Sequence, residues 1–136
     1  MSCRSDRIAA DSGLSAAALQ ALAQVARRAA DAGGEQLRHH FGRLEQVREK
    51  GRCGDLVTEA DTAAEAAVLA LLEAETPEIG VLAEESGRRP RPGDLEWVVD
   101  PLDGTTNYAH SYPFFGTSVG LCWRGQPLLG ALTVPA

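Results

Sequence analysis

Residues Phe115 to Trp123 alternate without interruption. Phe115, Thr117, Val119, Leu121 and Trp123 fall on one face, and Gly116, Ser118, Gly120 and Cys122 on the other. Side chains of a pleated backbone point to opposite sides in turn, so this pattern predicts an extended strand. One face is bulky and apolar; the other is small and could lie under a closely packed helix. Arg124-Gly125-Gln126 then predicts a hairpin turn into a second strand over Leu128 to Val134.

Upstream the period changes. Ser15 can cap a long helix in which Leu19, Leu22, Val25, Ala26, Ala29, Leu37 and Phe41 recur at steps of three and four. Gly33-Gly34 interrupts it at a cost of about 1 kcal/mol per glycine relative to alanine. Either the helix breaks there or another backbone packs close. Residues 44–50 predict a short strand. A second helix starts near Thr58, carries Ala60, Ala63, Ala64, Ala67, Val68, Leu71 and Leu72, and ends at Pro77. Ile79 to Ala83 is an apolar run entering Glu84-Glu85-Ser86. Arg88 to Gly93, with two prolines, predicts an exposed loop. Leu95 to Val99 predicts a strand whose carboxyl end is Asp100. Two helices followed by hairpin-linked strands point to an α+β fold, with the helices on one side of a mostly antiparallel sheet.

With 136 residues the chain is expected to form one domain, residues 14–136 behind a flexible N-terminus at 1–13. A net charge of −6 argues against nucleic acid or an anionic membrane as partner. No apolar run approaches the roughly 20 residues of a membrane helix, and Met1 to Ser12 lacks the apolar core of a secretory signal. Cys3, Cys53 and Cys122 are dispersed and odd in number, which suits a reducing cytoplasm.

The chemistry concentrates in Asp100-Pro101-Leu102-Asp103-Gly104-Thr105-Thr106. Two carboxylates three apart, with the Leu102 carbonyl between them, offer hard oxygen donors of the kind Mg²⁺ prefers. Asp103 is expected to return toward Asp100 across a turn at Pro101. Glu84 follows an apolar run as Asp100 does, so both carboxylates should emerge at strand ends. Clustered carboxylates repel one another, and a bound cation relieves that cost. Gly104, Thr105 and Thr106 should open a short helix whose free N–H groups could meet a phosphate. Taken alone, the same letters also read as a turn with a capping aspartate. Thr58-x-x-Asp61 likewise resembles a capping box, which would make Asp61 structural.

These residues, together with Lys50, Asp55-Leu56-Val57-Thr58-Glu59-Ala60-Asp61, Glu84-Glu85-Ser86 and Asn107-Tyr108-Ala109-His110, resemble the inositol monophosphatase family. The family comprises magnesium-dependent, lithium-sensitive sugar-phosphate phosphatases. The resemblance runs from about residue 15 to the C-terminus and implies the N-terminal part of the αβαβα sugar-phosphatase fold. It implies two or three Mg²⁺ ions, the first held by Glu84, Asp100 and the Leu102 carbonyl, and a second by Asp100 and Asp103. Glu84, Thr105 and Asp61 would position a water for attack on a phosphate monoester. Asp103, Gly104, Thr105 and Thr106 would bind the substrate. The implied partner is a small sugar or polyol phosphate, inositol 1-phosphate above all, with a homodimer as an option.

The family's Trp-Asp motif has no counterpart: Trp97 precedes Val98 and Trp123 precedes Arg124. A second half that would complete the second metal site is therefore expected to be missing, and the chain alone to be weak or inactive. Histidinol-phosphate, fructose-1,6-bisphosphate and 3′-phosphoadenosine phosphatases of the same superfamily remain alternatives. So does a non-catalytic half-domain that binds metal or phosphate.

Overall fold

The computed structural model describes residues 4–42, 47–49 and 56–135. The helices are α1 (Arg4–Ser12), α2 (Ala16–His40), α3 (Glu59–Glu75) and α4 (Thr105–Ala109). The strands are β1 (Val47–Glu49), β2 (Leu56–Thr58), β3 (Gly80–Ala83), β4 (Gly87–Arg89), β5 (Leu95–Asp103), β6 (Gly116–Trp123) and β7 (Gln126–Thr133). β1 and β2 form a small antiparallel pair. The other five make one sheet in the order β4-β3-β5-β6-β7, with β3 parallel to β5 and every other pairing antiparallel. The segment expected to be a flexible N-terminus thus contains α1, which lies against β7.

Ser15 caps α2 as its sequence predicts, its hydroxyl accepting the Ala18 N–H at 3.0 Å. The helix runs unbroken through Gly33-Gly34. A Cβ on Gly33 would lie 2.7 Å from Thr117 Cγ2, and one on Gly34 would lie 2.7 Å from Thr133 Cγ2. The glycines therefore let α2 settle onto the side chains of β6 and β7. This also corrects the expected facing of β6. The helix covers the bulky side, where Thr117, Val119 and Leu121 are buried, not the small side. Burying the larger apolar area against the helices removes more of it from water.

α3 buries Ala60, Ala64, Val68 and Leu72, a stripe at four-residue steps facing α2 and the sheet. Trp97 is fully buried beneath it, and its indole N–H donates to Thr76 Oγ1 at 3.0 Å. A smaller apolar cluster of Leu37, Ala60, Ala64, Leu102, Tyr108 and Phe115 lies under the residues of the acidic motif.

Part of the loop predicted over Arg88 to Gly93 is strand. Residues 87–89 pair with β3 across a three-residue turn at 84–86, and Gly87 takes the left-handed conformation (φ 81°) that such a hairpin requires. Pro90 lies just beyond β4. Arg88 and Arg89 make ion pairs with Glu96 and Glu73, charges typical of a protected sheet edge. The hairpin after β6 turns through Arg124 (φ 49°) and Gly125 (φ 75°), the positive-φ pair that matches the twist of adjoining strands. Leu132 and Val134 remain exposed on and just after β7.

Candidate phosphate and metal site

β5 does not stop at Asp100. It continues through Asp103, and the ladder with β6 slips between Asp100, opposite Ser118, and Asp103, opposite Gly116. The expected turn at Pro101 is thus an irregularity within a strand. Pro101 has no N–H to place in a ladder, which makes a bulge its natural position in a sheet. The buried Thr117 hydroxyl donates to the Pro101 carbonyl at 2.8 Å, and Thr105 Oγ1 lies 3.0 Å from the Leu102 carbonyl. Two hydroxyls from different elements thereby hold the segment between the two aspartates.

Glu84 leaves the end of β3, next to β5. The structure brings it to Asp100, which hydrogen-bonds it, with Asp103 close enough to act on Asp100 by its charge. Burial above all, then the hydrogen bond and charge of Glu84 and the charge of Asp103, push the Asp100 carboxyl up from its ordinary 3.8 to about 7; the Leu102 backbone pulls the other way. Asp100 Oδ1 is buried with no hydrogen-bond partner among the described residues. Also among the described residues, no three His, Cys, Asp or Glu side chains stand ready-grouped around a metal-sized point. The donor types that could hold a hard cation are nevertheless present: the carboxyls of Glu84, Asp100 and Asp103, and on the same strand as the aspartates the Leu102 carbonyl.

Asp61 is fully buried in the first turn of α3, and its Oδ1 lies 3.4 Å from Thr105 Oγ1. The Thr105 hydroxyl thus stands between Asp61 and the Leu102 carbonyl. Thr58, the expected cap partner of Asp61, has no described side chain, and Lys50 and Asp55 lie outside the described residues. Gly104 caps α4 in the left-handed conformation (φ 88°, ψ 37°), and a Cβ there would lie 2.8 Å from the Phe114 carbonyl oxygen. Only glycine fits both demands. Thr106 follows, exposed, in the first turn of α4. A cleft of about 350 Å³ opens alongside, its walls including Asp103, Gly104, Asn107, Phe114 and Leu132.

Glu84, Asp100, Leu102, Asp103, Thr105 and Asp61 are therefore linked by contact or by charge, whereas Thr106 sits at the edge of the group. Two contributors were missed in the sequence. Glu65, one turn beyond Asp61 on α3, is buried and accepts the Glu85 and Ser86 N–H groups on its two carboxyl oxygens, at 2.8 and 3.0 Å. Its signal was present: Asp61 and Glu65 fall on the helix face that Ala60, Ala64 and Val68 bury, where an unpartnered acid would be costly. Tyr108 is the other; its hydroxyl donates to the Leu37 carbonyl at 2.6 Å and ties α4 to α2.

Residues 18–136 match the sequence profile of the inositol monophosphatase family. An inositol-1-monophosphatase from Synechocystis is 43% identical over 118 residues, covering 86% of this chain and 41% of the relative. A protein from Aquifex aeolicus named fructose-1,6-bisphosphatase/inositol-1-monophosphatase is 37% identical, covering 82% and 43% respectively. Among solved structures, the extragenic suppressor protein suhB from Bartonella henselae superposes with a TM-score of 0.80 at 36% identity, over 85% of this chain and 45% of its own. The inositol monophosphatase from Anabaena gives a TM-score of 0.72 at 39% identity, over 86% and 41%. The chain spans less than half the length of these relatives.

Proposed function

The chain belongs to the inositol monophosphatase family, and from that premise we propose that it carries the metal- and phosphate-binding part of a magnesium-dependent phosphate monoester hydrolase. The substrate class is inositol 1-phosphate or a related sugar or polyol phosphate. One observation carries this reading: Asp100 is driven to about 7 beside Glu84 and Asp103 while its Oδ1 is buried without a partner among the described residues. Such a group calls for positive charge. The carboxyls of Glu84, Asp100 and Asp103 and the Leu102 carbonyl are the oxygens that would hold Mg²⁺. When bound, Mg²⁺ supplies the charge that acidifies a coordinated water and neutralises a phosphoryl group.

The chain's own residues supply the rest. Thr105 Oγ1, between the Leu102 carbonyl and Asp61 Oδ1, orients a water by hydrogen bonding, and buried Asp61 accepts a proton relayed through that hydroxyl. Gly104 admits a phosphoryl oxygen close to the backbone, and the amides at Gly104 and Thr105 with the Thr106 hydroxyl are its donors. The cleft bounded by Asn107, Phe114 and Leu132 is the space for the alcohol portion. The dispersed cysteines suit a cytoplasmic setting. No helix among the described residues is long and apolar enough to cross a membrane.

Phosphate release is the test, with inositol 1-phosphate and fructose 1,6-bisphosphate as separate substrates. Each is assayed with and without Mg²⁺, and then with Li⁺. The chain is used as it stands and also extended at its C-terminus by the corresponding half of a relative. Mg²⁺-dependent release that Asp100→Asn abolishes is expected at least in the extended form. An extended form that is inert on both substrates, with Glu84, Asp100 and Asp103 intact, overturns the reading.

A further inference from the structure

Glu65 has no place in the chemistry described so far, yet it is 5% exposed and both of its carboxyl oxygens are engaged. Oε1 accepts the N–H of Glu85 and Oε2 the N–H of Ser86, across 20 and 21 positions of sequence. Those amides belong to the three-residue turn between β3 and β4 whose first residue is Glu84. The grip is bidentate and made to backbone, so it fixes the direction of the turn and not merely its distance from α3. One helical turn earlier, Asp61 approaches Thr105. α3 therefore reaches the site at two points, through carboxyls four residues apart.

We propose that Glu65 is a positioning residue for the carboxylate site: by holding the Glu85 and Ser86 amides it aims Glu84 at Asp100 and so sets the affinity for a divalent cation. This rests on the cation-binding reading of that site. Glu65 touches neither cation nor substrate. It acts through the backbone that carries Glu84, as outer groups do when they orient the ligands of a metal. Without its two acceptors the turn loses two backbone hydrogen bonds that orient it between β3 and β4, and the Glu84 carboxyl gains freedom to move away from the two other acids. Repulsion among the three carboxyls favours that escape, so a restraint is needed before the cation arrives.

The experiment measures Mn²⁺ and Mg²⁺ binding by titration calorimetry, alongside hydrogen exchange of the Glu85 and Ser86 amides in the metal-free chain. Glu65→Gln keeps the volume but replaces one acceptor with a donor that faces an amide. It should weaken cation binding by about tenfold or more and speed exchange at both amides. Glu65→Asp, which retracts the carboxyl while keeping its charge, should weaken binding by a smaller factor and serves if the Gln variant does not unfold cooperatively. Glu84→Gln is the reference: cation binding should fall while exchange at Glu85 and Ser86 stays as in the parent. If the Glu65 variants fold, lose amide protection and still bind Mn²⁺ within twofold of the parent, Glu65 is a structural clamp only and the proposal is overturned. If the parent binds no cation, or Glu84→Gln binds as well as the parent, the cation-binding reading itself falls.

Discussion

Tyr108 and Leu37 are joined by a buried hydrogen bond of 2.6 Å, phenol to backbone carbonyl, across 71 positions of sequence. Leu37 lies in the last turn of α2, where carbonyls have no partner within the helix. The tyrosine supplies the missing donor, and its ring packs edge-on against Phe115 with centroids 4.7 Å apart. The short helix α4, which begins at Thr105 behind its Gly104 cap, is thereby anchored to α2, the longest of the described helices.

Tyr108→Phe keeps the ring and orphans the carbonyl. A loss of about 1–3 kcal/mol is expected, the desolvation penalty of a buried acceptor, measured by urea unfolding. An unchanged midpoint and slope would show that the bond contributes nothing.

The same pair has a pH signature. Burial first, then the charges of Asp61 and Glu59, push the Tyr108 phenol well above its ordinary 10. The folded state thus holds this proton after the unfolded chain has begun to lose it. The advantage of the parent over Tyr108→Phe should be flat below about pH 10 and shrink above it, as the unfolded phenol ionises. Parallel unfolding curves from pH 7 to 11 check the sign; an advantage that grows above pH 10 contradicts it.

Gly104→Ala combines a left-handed backbone with a contact of 2.8 Å to the Phe114 carbonyl. The conformational strain alone costs on the order of 1 kcal/mol or more, and the backbone contact adds to it. We expect a loss of about 2 kcal/mol in thermal or urea unfolding, with weaker binding of inorganic phosphate. A variant as stable as the parent would mean that the turn relaxes freely.

Gly33→Ala sets two effects against each other. Alanine in mid-helix gains about 1 kcal/mol of propensity. Its methyl, however, would lie 2.7 Å from Thr117 Cγ2 and 2.9 Å from Val68 Cγ2, both on stiff β-branched side chains. Overpacking of this kind costs about 1–3 kcal/mol, so the net change should be a destabilisation. Thr117→Ser removes the nearer of the two obstructing methyls and keeps the hydroxyl that holds Pro101. In that background Gly33→Ala should cost less, and a double-mutant cycle reads the difference.

Asp100→Asn removes one charge from the carboxylate group. In the absence of divalent cations the variant should melt a few degrees above the parent, because the raised position of Asp100 means its charge opposes folding. With Mg²⁺ present the order should reverse or the gap close, since only the parent retains the full set of carboxyls proposed to hold the cation. Differential scanning calorimetry with and without Mg²⁺ decides it.

Features governed by near neighbours in the chain were legible in the sequence. The Ser15 cap, the four-residue stripe of α3, the alternation of β6 and the Arg124-Gly125 turn follow from local backbone geometry, and each is found where its residues predict it. The acidic motif was also visible, because unusual residue types sit together at a strand end. Glycines at 33 and 34 announced a special contact but not its nature, since only the packed structure shows that Thr117 and Thr133 occupy the space.

Long-range partners settled the rest. Residues 87–89 look like loop because arginines and a nearby proline suit solvent; they become strand because β3 offers an unpaired edge. β6 shows two distinct faces, but which one meets the helices depends on total apolar area buried, a property of the assembled layers. Asp100 and Asp103 suggested a turn, and the ladder with β6 converted it into a bulge. The sequence marked Glu65 as an acid on a buried helix face, but not its partners, because these are amides 20 and 21 positions downstream. Local sequence specifies conformations over a few residues. Which acid is gripped, which buried carboxyl oxygen finds no donor among the described residues, and which face is covered are decided by contacts that exist only once distant segments have met.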